Sequence, residues 1–225
     1  LAAVLNKTNM KKITCLQICL SGLLLFAVMQ SCKKTKDEVA QVLPSPTQPI
    51  PTVAVKGDYQ PTKTGSTWTY SGALNYTVTA KKDTVFNGKI WSIFRNSSAS
   101  SNAFFRKENG DYYQYALTPS NEVLNLLYLK DTVSVGTSWI NDVVLNGTKT
   151  RYQYTLIAVG LNKTVGASPF TNVLQVHLNV YVDVSNSGNY TLYSKAEYYY
   201  AKDVGFIYSD LYVQGITQLS TYFIK

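Results

Sequence analysis

His177 is the one histidine among the 225 residues of the chain. A lone imidazole rules out a multi-histidine metal site and leaves one candidate general base for a Ser-His-Asp arrangement. Paired carboxylates offer a second route, glycoside hydrolysis, but Asp and Glu are scattered singly along the sequence. There is no G-x-S-x-G elbow, no phosphate-binding glycine loop, no H-E-x-x-H and no calcium loop. Of the three cysteines, Cys15 and Cys19 lie within an apolar run and Cys32 follows it. Once that run is removed, one chain has too few thiols for a disulfide, a C-x-x-C redox pair or a thiolate metal site. No cofactor is implied.

Aromatic residues are in excess. Eighteen tyrosines are present, concentrated at Tyr112, Tyr113 and Tyr115 and again at Tyr198, Tyr199 and Tyr200. A phenol joins an apolar ring to a polar tip, which suits stacking on a sugar or lining an apolar cavity. Consecutive side chains of a strand point to opposite faces, so at most half of each cluster shares a site. Tyr113, Tyr115, Tyr198 and Tyr200, with Tyr181 and His177, are the candidate ligand-contacting residues. The plainer reading is cross-strand tyrosine pairing, which stabilises a sheet by about 0.2–1 kcal/mol per pair.

The elements that position these residues are strands. From Tyr59 onward apolar and polar residues alternate with period two, and no window holds a 3.6-residue apolar stripe. The clearest strand is Phe170 to Val184: Leu174, Val176, Leu178, Val180, Val182 and Val184 share one face, while Gln175, His177, Asn179, Tyr181 and Asp183 share the other. One buried and one solvated face marks an antiparallel sheet. Asn87-Gly88, Asn109-Gly110, Asn146-Gly147 and Ser187-Gly188 supply tight-turn signals between runs. The fold class expected is all-β, an antiparallel meander of about eleven or twelve strands forming a curved sheet or half-barrel, or else a two-sheet sandwich. Gly65-Ser66-Thr67-Trp68 recurs as Gly136-Thr137-Ser138-Trp139, and FFRKENGDYYQY has a counterpart in YYYAKDVGFIY. These echoes are compatible with two structural repeats, although their spacings differ.

The first quarter of the chain addresses compartment. Met10-Lys11-Lys12 begins a charged segment, Ile13 to Met29 is mostly apolar, and Ser31 is a small residue before Cys32. This is a secretory signal layout. Its seventeen apolar-run residues cover roughly 25 Å as a helix, short of the roughly 30 Å hydrocarbon core, so a cleaved leader is favoured over a retained span. The division expected is a misassigned start at 1–9, a leader at 10–31, a lipidated cysteine and tether at 32–56, and an all-β domain at 57–225. Pro44, Pro46, Pro49 and Pro51 make the tether a semi-rigid spacer. The sequence isoelectric point of about 9.2 suggests nucleic acid, but the charge lies elsewhere. Leu1–Lys56 holds seven lysines against two acids, and 57–225 holds fourteen Lys plus Arg against eleven Asp plus Glu. The folded part lacks the basic cluster that a phosphate backbone requires, so no nucleic-acid partner is expected.

Ser31-Cys32 after such a leader resembles the lipobox of bacterial lipoproteins, in which the cysteine is lipidated and becomes the mature N-terminus. Met29 and Gln30 stand where that box usually has Leu and a small residue. Farther on, Tyr59-Gln60-Pro61, Gly65-Ser66-Thr67-Trp68-Thr69-Tyr70, Gly136-Thr137-Ser138-Trp139 and Tyr199-Tyr200-Ala201-Lys202-Asp203-Val204-Gly205 resemble a group of uncharacterised Bacteroidota exported lipoproteins. Asp203 replaces that group's usual glycine. The resemblance implies an exported all-β domain shaped like the half-barrels of lipoprotein carriers, and no catalytic residues. Surface-exported members usually carry acids directly after the cysteine, whereas here Lys33-Lys34-Thr35-Lys36 comes first. Periplasm-facing and surface-exposed sites on the outer membrane of the bacterial cell envelope both stay open. Two functional classes remain. One is a non-catalytic module, anchored to the membrane through lipid on Cys32, for a glycan, lipid or envelope-protein partner. The other is a glycan-active hydrolase with a carboxylate or His177 centre.

Overall fold

The computed structural model describes residues 53–99, 101–118 and 122–225. The segments expected as a misassigned start (1–9) and a leader (10–31), together with Cys32 and the part of the expected tether before Val53, lie outside the described residues.

Twelve strands follow in chain order: β1 (Thr67–Gly72), β2 (Tyr76–Phe86), β3 (Lys89–Asn96), β4 (Asn102–Glu108), β5 (Asp111–Leu117), β6 (Val123–Lys130), β7 (Ser138–Leu145), β8 (Thr148–Val165), β9 (Ser168–Asp183), β10 (Thr191–Ala201), β11 (Gly205–Asp210) and β12 (Ile216–Phe223). They form one antiparallel sheet in the order β6-β5-β4-β3-β2-β1-β12-β11-β10-β9-β8-β7, curled into a nearly closed barrel. The single curved sheet expected from the alternation is thus what forms, and not a sandwich. All twelve strands and the core they enclose come from Val53–Lys225, so this stretch has what an independent folding unit needs.

Alternation does the sorting. In β5, Tyr112, Gln114 and Ala116 are buried and Tyr113, Tyr115 and Leu117 lie on the outer face. In β9, Val176, Leu178, Val180 and Val182 point in. Inward aromatic rings meet in series: Trp68 on Phe94 at 5.5 Å between centroids, Phe94 on Phe105 at 4.9 Å, Phe105 on Tyr128 at 5.7 Å, and Tyr128 on Tyr200 at 6.0 Å. The last pair joins β6 to β10, two strands far apart in the sheet order, so side chains meet across the interior. The outward residues of β8 and β9 include Arg151, Gln153, Thr155, Gln175 and Asn179. On these two strands apolar side chains face in and polar ones face out.

Three of the expected turns are two-residue hairpins with positive φ at both positions: Asn87 and Gly88 (50° and 67°), Asn109 and Gly110 (52° and 84°), Asn146 and Gly147 (49° and 74°). The fourth differs. Asp183, expected on the solvated face, is fully buried, and Val184, expected inside, is 78% exposed. The strand stops at Asp183 because its carboxylate accepts from Ser187 N (3.1 Å) and Gly188 N (2.7 Å), winding the chain into a loop in place of a tight hairpin.

The two G-x-x-W segments are structurally equivalent. Gly65 N donates to Ala80 O, Ala80 N to Ser66 O, and Ser66 N to Lys63 O. Gly136 N donates to Leu156 O, Leu156 N to Thr137 O, and Thr137 N to Ser134 O. The glycines have φ of 92° and 88°, and both tryptophans are buried. Each segment therefore opens a six-strand meander, β1–β6 and β7–β12. The two junctions between the halves differ. β12 pairs with β1 through a full ladder, whereas β6 and β7 are not ladder partners.

That seam is closed by side chains. Asn141 on β7 presents its amide to the backbone of β6, with Leu127 N donating to its Oδ1 at 2.9 Å and its Nδ2 donating to Leu127 O at 3.0 Å. The Trp139 indole N–H also donates to Leu127 O, at 2.8 Å.

The barrel has two distinguishable ends. At one, the chain arrives: Val53 bridges Ser134 in the β6–β7 connection, and Asp58 and Asp203 bond at the β10–β11 turn. Tyr59 and Gln60 lie buried across this mouth. The β2–β3 and β4–β5 hairpins turn at the same end. The β8–β9 hairpin, the longest, shifts register three times between Leu156 and Lys163. These bulges bend its tip over the outer face, where Lys163 stands over the Tyr199 and Tyr208 rings and Phe170 meets Tyr222 of β12.

Candidate functional site

The sequence candidates divide between the two faces of the sheet. Tyr198 and Tyr200 point inward and are 4% exposed each. Both pack on Phe206, at 6.3 and 5.9 Å, and Tyr200 also meets Tyr128. Burial holds both phenols protonated well above the usual tyrosine range. They fill the core. Tyr113, Tyr115, His177 and Tyr181 point outward. Tyr113 carries the Arg106 guanidinium over its ring at 4.2 Å. Tyr115 packs on Phe86 at 4.9 Å, in a cluster with Trp91 and Phe104 on the outer face of β2–β5. Tyr181 lies across from Leu192 and Arg151 in the ladders of β9. The structure therefore does not gather the six residues into one site.

His177 has a partner that single-residue inspection of the sequence could not assign. Ladder register sets it opposite Glu197 on β10. Its Nδ1 lies 2.5 Å from Glu197 Oε1, and its Nε2 lies 3.0 Å from Asn179 Oδ1. Glu197 also accepts from Gln175 Nε2 at 3.0 Å and from the Tyr212 hydroxyl at 3.4 Å. A histidine-carboxylate pair is two-thirds of a nucleophilic triad. Here, however, the second ring nitrogen faces an asparagine in place of a serine or cysteine, and both nitrogens are engaged within the protein. The arrangement orients an imidazole on an outer strand; its ladder partner on β8, Thr155, has its hydroxyl bonded to Ser138 at 2.8 Å and neither ring nitrogen is directed to it.

Beside it is a second cluster. The ammonium of Lys163 stands 3.9 Å from the centroids of both Tyr199 and Tyr208, which meet edge to face at 5.5 Å. Burial lowers the Lys163 pKa against the opposing pull of Asp210. The Tyr199 phenol is pushed up to about 12 by burial, with Glu197 adding to it. These groups pin the bent hairpin to the sheet.

The most tightly bonded polar group was not visible in the sequence because its members come from four segments. At the mouth where the chain arrives, Tyr112 Oη donates to Asp131 Oδ2 at 2.7 Å. It also accepts from Lys107 Nζ at 2.6 Å and from Tyr59 N at 3.1 Å. Lys107 Nζ also reaches Asp131 Oδ2 at 3.1 Å and Gly57 O at 2.8 Å. Burial pushes the Tyr59 phenol up to about 12, with Asp131 and Asp203 contributing. The network fastens the incoming chain across the mouth and satisfies groups that would otherwise be buried without partners.

Among the described residues, no group of three or more His, Cys, Asp or Glu side chains is placed to hold a metal ion. No protein-family model, curated protein or solved structure matches the chain.

Proposed function

We propose that this chain is an exported lipoprotein of the bacterial cell envelope, related to the Bacteroidota group it resembles. Lipid on Cys32 would anchor it, and its barrel would serve as a non-catalytic module for an envelope partner. The observation that supports this reading is the contact between Tyr128 and Tyr200 across the barrel. An interior bridged by side chains leaves partner recognition to the outer surface, and there the one histidine has both ring nitrogens engaged by Glu197 and Asn179. Among the partners a lipoprotein meets, a glycan suits the outer aromatic cluster around Tyr115, since ring faces stack on sugars.

The test is binding and turnover of isolated envelope polysaccharide by the purified protein. Binding is expected to weaken about tenfold in Tyr115→Ala and to persist in His177→Gln. Hydrolysis that falls a hundredfold or more in a folded His177→Gln protein would overturn the binding reading in favour of the glycan-active hydrolase.

A further inference from the structure

We infer that the end of the barrel at which the chain arrives is a docking face for an anionic lipid bilayer, with the β2–β3 hairpin as its contact point. The inference deepens the anchored-module reading and rests on it for the presence of a nearby membrane. Its physical basis is separate from Cys32.

The hairpin outruns β1 on one side, while on the other the β4–β5 hairpin reaches level with it, Lys89 bonding Glu108 at 3.1 Å. β1 begins at Thr67, which pairs with Thr79, yet β2 continues to Phe86. Beyond this rim Val85 and Ile90 are cross-strand partners, so their side chains lie together on one face. That face continues the barrel's inner face, and past the rim no opposing wall covers it: Val85 is 68% exposed and Ile90 64%. Two adjacent aliphatic side chains left open beyond the β1 rim are costly in water and suited to the acyl boundary of a bilayer.

The charges around the tip fit the same partner. Lys81 and Lys82 stand exposed at the bulge between Ala80 and Asp83. Lys63 is brought alongside by the bond from Thr64 Oγ1 to Lys81 O at 3.2 Å. None of these three has an acidic partner among the described residues, whereas Lys89 at the tip shares Glu108 with Arg106. The opposite end also exposes apolar side chains, Val184 and Val213. Its charges, however, are mixed: Arg151 is paired with Asp142, and Glu197 and Asp210 are acidic. What sets the arriving end apart is a group of three lysines, Lys63, Lys81 and Lys82, with Asp83 the one acid beside them in β2, whereas Lys149 and Lys195 at the other end stand singly. Val53, the first described residue of the expected tether, is bonded at this end as well. A lipid-anchored tether would hold this face toward the membrane from which it emerges, and lysines near an anionic surface attract it.

The test is co-sedimentation of the 53–225 domain, which lacks Cys32, with vesicles of pure phosphatidylcholine or of phosphatidylcholine enriched in phosphatidylglycerol. Partitioning should favour the anionic vesicles. It should fall roughly fivefold in Lys82→Glu and on the order of a hundredfold in the triple variant Lys63→Glu, Lys81→Glu, Lys82→Glu. Val85→Ser with Ile90→Ser should reduce it about tenfold. Lys195→Glu, near the other end, should leave it unchanged. All these positions are exposed, so melting should stay near that of the parent domain. No binding, equal binding to the two vesicle types, or an equal loss in Lys195→Glu would overturn the inference. So would complete competition by soluble polyphosphate with no effect of the Val85 and Ile90 changes, which would assign the lysines to a soluble polyanion. Failure of the anchor itself would show separately, as unchanged membrane fractionation of full-length Cys32→Ser protein.

Discussion

His177 is held from both sides of its ring, and that sets what its replacement does. Strand parity alone predicts a dispensable outer residue, with a change below about 0.5 kcal/mol. The contacts to Glu197 and Asn179 raise the expected cost of His177→Gln to about 0.5–1.5 kcal/mol, a fall in melting temperature of about 1–6 °C for a domain of this size. Glu197 keeps Gln175 and Tyr212, so the fold survives. A melting temperature unchanged within error would show that the pair contributes nothing. The buried tyrosines carry a larger pH signature. Tyr59 and Tyr199 are pushed up to about 12, chiefly by burial, and Tyr70, Tyr154 and Tyr200 lie well above the ordinary value. A folded pKa raised above the unfolded one gives stability that is full below pH about 10 and is lost as pH climbs through the folded values. Alkaline titration should therefore show phenolate absorbance from these residues rising together with loss of near-ultraviolet dichroism above pH about 10. If all eighteen tyrosines ionised near pH 10 in a still-folded protein, the packed interior would be contradicted.

At the scale of the element, the repeated G-x-x-W segments carry the architecture. Trp68 and Trp139 each combine burial with an indole N–H bond to a backbone oxygen, Val204 O at 2.7 Å and Leu127 O at 2.8 Å. Replacing either by alanine should cost about 3–5 kcal/mol, measured by chemical denaturation. The two should not be equal in locality, because Trp139 also spans the seam. Asn141→Ala would leave Leu127 N–H without its acceptor. It should cost about 1–3 kcal/mol and speed amide exchange in β6 and β7 ahead of the β1–β12 junction. Uniform exchange around the barrel would show that the seam is no weaker than its ladder-paired counterpart. The strands and three of the turns were legible because alternation and Asn-Gly pairs are local signals, read directly on Leu174 to Val182 and at Asn87-Gly88. The repeat was legible as an echo of letters, and its reality rests on matching backbone bonds at Gly65 and Gly136. What local signals could not give was partnership: Glu197 with His177, Asp131 with Tyr112 and Lys107, and Asn141 with Leu127 all depend on register between distant strands. Asp183 and Val184 depart from the faces that alternation predicts because a side chain that caps its own loop ends the strand before the alternation in the letters ends.

At the scale of the whole molecule, the barrel is asymmetric along its axis. One end is crossed by the incoming chain, tied down by Lys107, Tyr112 and Asp131, and bordered by unpaired lysines. The other carries the longer loops and mixed charge. Disturbing the tie should loosen the first end: Asp131→Ala removes a buried acceptor from Tyr112 and Lys107 and should cost about 1–3 kcal/mol, with proteolysis appearing near Lys56 before the barrel unfolds. Cleavage first in the β9–β10 loop would place the weak point at the wrong end. The proposal that gives this asymmetry its meaning is that the chain is tethered to a membrane through lipid on Cys32. Two acyl chains hold firmly, each buried CH₂ contributing about 0.8 kcal/mol. Mass spectrometry of the mature N-terminal peptide, isolated from membranes of the producing bacterium, tests it most directly. Lipid anchoring predicts a chain beginning at Cys32 with a diacylglycerol thioether and an N-acyl group, and a Cys32→Ser protein that leaves the membrane fraction. A mature chain that still carries the residues before Cys32, or an unmodified cysteine on a protein that fractionates with membranes to the same extent after Cys32→Ser, would contradict it.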